Sequence, residues 1–198
     1  GLHVVRGDRG LRLLVAGEII AFAGFGTLMT ADAPLSDAFG QGSTGYALLI
    51  VAWGLGQLIG TTGTGRILPP GSEPLFMVVG LTLLAVGTLM VGVTPTFWIA
   101  IAGMAVGGLG IGGADVARQT FVQRRTHDAV AGRVFAALEF ASVAAIGLGT
   151  AGAGPAIDAI GAQQAYVVVA ALMAVGVAVQ MGLLRLPEAA TVTDVRNT

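Results

Sequence analysis

Apolar residues in this chain fall in long blocks, with neither the alternation of a strand nor the narrow stripe of a surface helix. A helix that crosses a bilayer needs about 20 mostly apolar residues. Six stretches qualify: 11–31, 44–67, 74–94, 96–117, 132–157 and 162–186. The breaks between them carry turn chemistry: "PLSDAFGQGS", "LPPGSEP", "TPT", "QRRTHDAVAG" and "DAIGAQ". Pro69-Pro70-Gly71 stops a helix, because proline lacks the N–H a helix interior uses. Only a few residues separate the third and fourth spans, which predicts an antiparallel hairpin. The pattern therefore predicts an all-α membrane protein with six transmembrane helices.

Charge supports the count independently. All ten basic residues are arginine: Arg6, Arg9, Arg12, Arg66, Arg118, Arg124, Arg125, Arg133, Arg185 and Arg196. With six alternating spans, every arginine falls on one side. The connections on the other side carry Asp32, Asp37 and Asp158 and no basic residue. The positive-inside rule assigns the arginine side to the cytoplasm, with both termini there, in a cell membrane crossed many times. Residues 1–10 then read as a cytoplasmic linker, 11–186 as the transmembrane domain and 187–198 as a disordered cytoplasmic tail. The opening segment, with its basic start and Ala31-x-Ala33, has some features of a signal peptide. Glu18 interrupts its apolar part, and cleavage would leave five spans whose charges no longer alternate.

Composition removes other classes. Of 198 residues, 55% are hydrophobic and 11% charged, against about 25% charged in soluble domains. Glycine, at 32 residues without a G-X-Y period, suits helices packed backbone to backbone. Cysteine is absent, so thiolate chemistry is excluded. His3 and His127 lie in polar segments, so no metal site and no intramembrane histidine base is expected. The net charge of −1 gives no footing for nucleic acid. There is no G-x-x-x-x-G-K-[ST] stretch and no lysine, so no nucleotide site or other cofactor is expected. Gly1 stands where an initiator methionine belongs, which suggests a missing upstream part.

Three stretches together resemble the second half of major facilitator superfamily transporters: "GYALLIVAWGLGQLIGTTGTGRI" (45–67), "FVQRRTHDAVAGRVFAALEFAS" (121–142) and "GLGTAGAGPAIDAIGAQQAYVVVAALMAVG" (147–176). The likeness is nearest to bacterial drug and siderophore exporters, through Gly132-Arg133-Val134 and Gly154-Pro155. It covers most of residues 11–186 and implies spans seven to twelve of a twelve-span bundle. The loop after the second span keeps Gly60, Gly65 and Arg66 but has no aspartate, and Asp158 stands where the exporter pattern has a further glycine.

Several polar residues are candidates for mechanism. Glu139 lies about 9 Å inside the fifth span at 1.5 Å per residue from Arg133. A charge at mid-bilayer costs on the order of 2.5–3.5 kcal/mol. Glu139 either snorkels toward the arginine-rich interface or faces an aqueous cavity and exchanges protons, with Ser142 and Thr150 on about the same face. Glu18 sits about 10 Å into the first span on the same side, and no cation is near it in sequence. The resembling fold brings the first, second, fourth and fifth helices to a central cavity, so both acids are expected to line it. Asp115 and Arg118, spaced i, i+3, can form an ion pair that ends the fourth span or acts as a cytoplasmic gate. Arg66 and Arg133 are further gate candidates, with Arg133 and Arg125 also serving as topology anchors.

Trp53 and Gln57, at i, i+4, offer a flat apolar face and an amide to a substrate, with Ser142 as a further cavity candidate. Packing or lipid contact is the plainer role for Trp53. Trp98, beside Pro95, reads as an interfacial anchor. Gly103, Gly107, Gly108 and Gly112 form small-residue ladders for close helix packing, as do Gly54, Gly56 and Gly60. Gly154-Pro155 is expected to end or kink the fifth helix.

These readings converge on the C-terminal half of a secondary transporter. It would export a small amphipathic molecule in exchange for protons, with the lipid bilayer, its substrate and an N-terminal six-helix half in the same or another chain as partners. The rival reading is a truncated, inactive remnant, or a half-transporter that must dimerise. Buried serine–histidine or metalloprotease chemistry is excluded because the spans hold no histidine, and no channel filter sequence occurs.

Overall fold

The computed structural model describes residues 7–126 and 128–185. The tail 187–198, His3 and His127 lie outside these, as does most of the expected linker. Six long helices follow one another: α1 (Arg9–Ala38), α2 (Gly42–Ile67), α3 (Glu73–Val93), α4 (Phe97–Arg125), α5 (Asp128–Ile160) and α6 (Ala162–Gln180), the last extended by a tighter turn, Met181–Arg185. All six contain a window long and apolar enough to cross a membrane. No strand occurs among the described residues.

The helices outrun the apolar blocks, because backbone hydrogen bonding continues into polar residues at the ends. Asp8 caps α1 by accepting from the Leu11 amide at 2.9 Å. At its other end α1 runs through Pro34 to Ala38, so Asp32 lies inside a helix and not in a connection as the sequence suggested. Pro155 is likewise internal: α5 continues to Ile160, and the expected simple helix end at Gly154-Pro155 does not occur. One lost backbone bond is tolerable in a helix held by its neighbours. Three of the five breaks hold glycines with positive φ, at Gly40 and Gly42 after α1, Gly71 before α3 and Gly161 between α5 and α6.

Packing follows a pairing pattern. α2 lies along α4, α4 along α3, α3 along α6, α6 along α1, and α1 along α5. Exchanging α1–α3 with α4–α6 maps these pairs onto themselves, with α3–α6 mapping to itself. Three helices is an odd number, so the two repeats have opposite directions, an inverted repeat of the kind found in transporters.

Glycine makes these seams possible. A Cβ on Gly108 would lie 2.1 Å from the Trp53 carbonyl oxygen, and one on Gly56 2.1 Å from that of Ala105. Gly60 and Gly112 complete the α2–α4 seam, while Gly103 meets Gly87 on α3. Gly107 faces the Trp53 ring. Gly54 departs from the expected ladder, since it is exposed and a Cβ there would meet nothing within 4 Å. Hydroxyls add cross-helix bonds: Thr61 to the Gly112 carbonyl at 3.3 Å, and Thr150 to that of Gly26 at 3.1 Å.

The interior divides into a large cluster that includes Leu28, Leu49, Leu84, Tyr166 and Met173, and a smaller one around Leu11, Met77, Phe121 and Leu138 near the arginine-rich end. The outside is apolar as well. Leu55, Leu58, Ile59, Phe140 and Leu148 are all exposed, as a surface facing lipid or another bundle requires.

Candidate functional site

The arginines of the described residues gather at one end, as antiparallel helices dictate. Ion pairs stitch that end together. Arg125 of α4 reaches the α1 cap Asp8 at 3.3 Å and lies 4.6 Å above the Phe121 ring. Arg124 meets the buried Glu73 of α3 at 3.0 Å. Both arginines project from the last turn of α4, where cations also favour the helix dipole.

Arg118 stands one to two turns deeper, and it gathers three carboxylates from three helices. Its Nε lies 3.5 Å from Glu18 Oε1 on α1. One terminal nitrogen lies 3.6 Å from Asp115 Oδ1 on α4 and 3.9 Å from Glu139 Oε2 on α5. These are ion-pair distances rather than tight hydrogen bonds. Exposure grades the three acids, with side chains 11% exposed for Glu18, 31% for Asp115 and 66% for Glu139. Beside them is a hole of about 20 Å³ bordered by Glu18, Asp115, Arg118 and Gln180, room for about one water.

Four sequence candidates, Glu18, Asp115, Arg118 and Glu139, thus share one site. Arg66 and Arg133 are exposed and form no ion pair among the described residues. Glu18 has no cation near it in sequence, and Arg118 comes to it from far along the chain. The shared wet face expected for Glu139, Ser142 and Thr150 is corrected. Ser142 is buried and donates to the Leu138 carbonyl at 3.1 Å, while Thr150 is engaged with α1. A hydroxyl in an apolar helix finds the nearest carbonyl first.

A second polar feature lies toward the other end. Asp32 of α1 is buried and accepts a hydrogen bond from the Tyr166 hydroxyl of α6. Both line a cavity of about 180 Å³ whose wall includes Phe25, Trp53 and Met104. Trp53 packs on Phe25 with ring centroids 5.4 Å apart. Gln57, one turn along, does not line this cavity. Trp98 is 70% exposed beside Phe97. The sequence reading passed over Asp32 and Tyr166. The available signal was an acid two residues before a proline that a membrane helix can absorb.

The family model described as Major Facilitator Superfamily matches residues 14–197, nearly the whole chain. The chain belongs to the major facilitator superfamily. No curated protein matches it significantly. It is therefore a multi-pass membrane protein of a transporter family, and the six helices and their inverted pairing are its membrane-embedded machinery. In that setting both polar features place carboxylates among apolar helices, where an unpaired charge is costly.

Proposed function

We propose that this chain is the C-terminal six-helix half of a secondary active transporter, exporting a small amphipathic molecule in exchange for protons. It works by alternating access against an N-terminal half in the same or another chain. Residues 11–186 form the transport domain, and the arginine-rich end faces the cytoplasm.

The Arg118 cluster carries this reading. One guanidinium is balanced by one carboxylate, yet three surround it. With all three ionised the site is doubly negative in a low-dielectric setting, so a proton on one acid relieves repulsion. Arg118 keeps a counter-charge whichever acid is protonated. Glu139, the most exposed, is reachable from outside the bundle, and Glu18 is its buried counterpart. The acids sit on α1, α4 and α5, so moving a proton changes how strongly those helices are tied together. That is the coupling alternating access needs: the charge state of a site biases the contact between moving elements.

The test uses the complete transporter in cells and in vesicles. Glu139→Gln and Glu18→Gln are expected to insert normally, to lower proton-driven efflux and to flatten its dependence on pH. Normal efflux by both variants across a pH series would take the cluster out of the mechanism. Comparing accumulation of drugs and metabolites with and without the full-length gene identifies the cargo.

A further inference from the structure

Every other buried carboxylate among the described residues has an arginine: Glu18 has Arg118 and Glu73 has Arg124. Asp32, 7% exposed, has none, and its one recorded side-chain partner is the Tyr166 hydroxyl. A carboxylate has about four lone-pair positions, and one hydrogen bond leaves most of them unused. A buried carboxylate without a counter-ion is expensive, so Asp32 either holds a proton or takes a positive partner from elsewhere, and its surroundings decide between the two.

The surroundings define its chemistry. Asp32 borders the cavity of about 180 Å³, and no arginine or histidine lines it. The walls carry Phe25, Tyr46, Trp53 and Tyr166, with the Met104 thioether. Aromatic faces attract cations, most strongly where water is excluded. No group of three metal-ligating side chains occurs among the described residues, and a lone carboxylate among aromatic rings suits no divalent ion. An engineered cavity of about 150 Å³ holds one benzene, so this space fits one ring or one alkylammonium group. Its rim includes Met29, Tyr46 and Ile50, all exposed, where α1 and α2 touch only lightly. An apolar rim admits a ligand with apolar substituents.

We propose that this cavity, inside one six-helix bundle, binds a small organic cation, with Asp32 as counter-charge and the Phe25, Trp53 and Tyr46 rings as its cage. This names the cargo class for the transport reading above and rests on that reading only for its physiological meaning.

Trp53 supplies the readout. The chain has two tryptophans, and Trp98→Phe leaves Trp53 as the sole one. The probes are benzyltrimethylammonium, neutral benzyl alcohol and anionic benzenesulfonate, titrated into the detergent-purified 198-residue chain. The cation is expected to give a saturable Trp53 fluorescence change, and the other two none. Asp32→Asn keeps the volume and an acceptor for Tyr166, and it is expected to weaken the cation about tenfold or more, while Asp37→Asn has no effect. Trp53→Phe, with Trp98 retained, checks that partition into the micelle gives no saturable signal.

Equal response to cation and alcohol in the otherwise unaltered protein overturns the proposal without needing any Asp32 variant. It would mean that Asp32 simply holds a proton. Unchanged cation affinity in a monodisperse Asp32→Asn protein overturns it as well. Cation binding that depends on Asp32 without efflux of that cation supports the site and defeats the transport reading. Efflux without binding does the reverse.

Discussion

Removing the guanidinium of Arg118 would strand Glu18 and Asp115 among apolar helices, with Glu139 less affected because water reaches it. Breaking a buried pair from one side typically costs about 3–5 kcal/mol. Arg118→Gln is therefore expected to lower the thermal unfolding midpoint in detergent sharply, and Arg118→Gln with Glu18→Gln to recover a large part of the loss. Glu139→Gln alone, at an exposed acid 3.9 Å away, should cost less than about 1 kcal/mol. A double variant no more stable than Arg118→Gln would show that the Glu18 contact is not what the arginine supports. At this scale the sequence marked Glu18 and Glu139 as acids in apolar runs and Asp115–Arg118 as one helical turn. It did not show that a single arginine serves all three, since helix periodicity reports only neighbours along one helix.

Helices here associate without a hydrophobic drive, because lipid is as apolar as their side chains. Close backbone approach at glycine does the work instead. Gly108→Ala would drive a methyl into the Trp53 carbonyl, and the resulting shift of α2 against α4 is expected to cost about 1–3 kcal/mol. Gly54→Ala, two residues from Gly56 on the same helix, meets open space and should leave the midpoint unchanged or slightly higher. Equal effects in a detergent melting assay would contradict the seam. The ladders were legible as small-residue spacing, but which glycines face a partner was not. The helix ends were misread for a related reason: Pro34 and Pro155 look like stops in isolation, whereas packed membrane helices absorb them.

The bundle's two ends differ in charge, and this sets how it lies in a bilayer. The chain has no cysteine, so single cysteines report without background. Asp37→Cys and Gln123→Cys are at exposed positions on opposite ends and are expected to react with an impermeant maleimide from opposite sides, Gln123→Cys from the cytoplasm. Thr126, three residues on and just past the end of α4, is buried and would label poorly from either side. Modification of both positions from one side would overturn the six-span topology. The inverted pairing of α1–α3 with α4–α6 also belongs to this scale, because it is defined by which helices lie side by side.

Sequence alone determined the helical class, the number of spans, the segregation of arginine and the resemblance to a transporter family. Those follow from hydrophobic run length and from charge, which are sums along the chain and need no partner. Only the tertiary structure decided which acids share Arg118, which glycines lie in seams, and that Asp32 lies buried against Tyr166 beside an aromatic cavity. Each of these is a meeting of residues distant in sequence, fixed by how the helices pair and rotate against one another. In a chain whose helices are apolar on every side, the pattern of residues barely marks that rotation, and glycine contacts and buried charges set it.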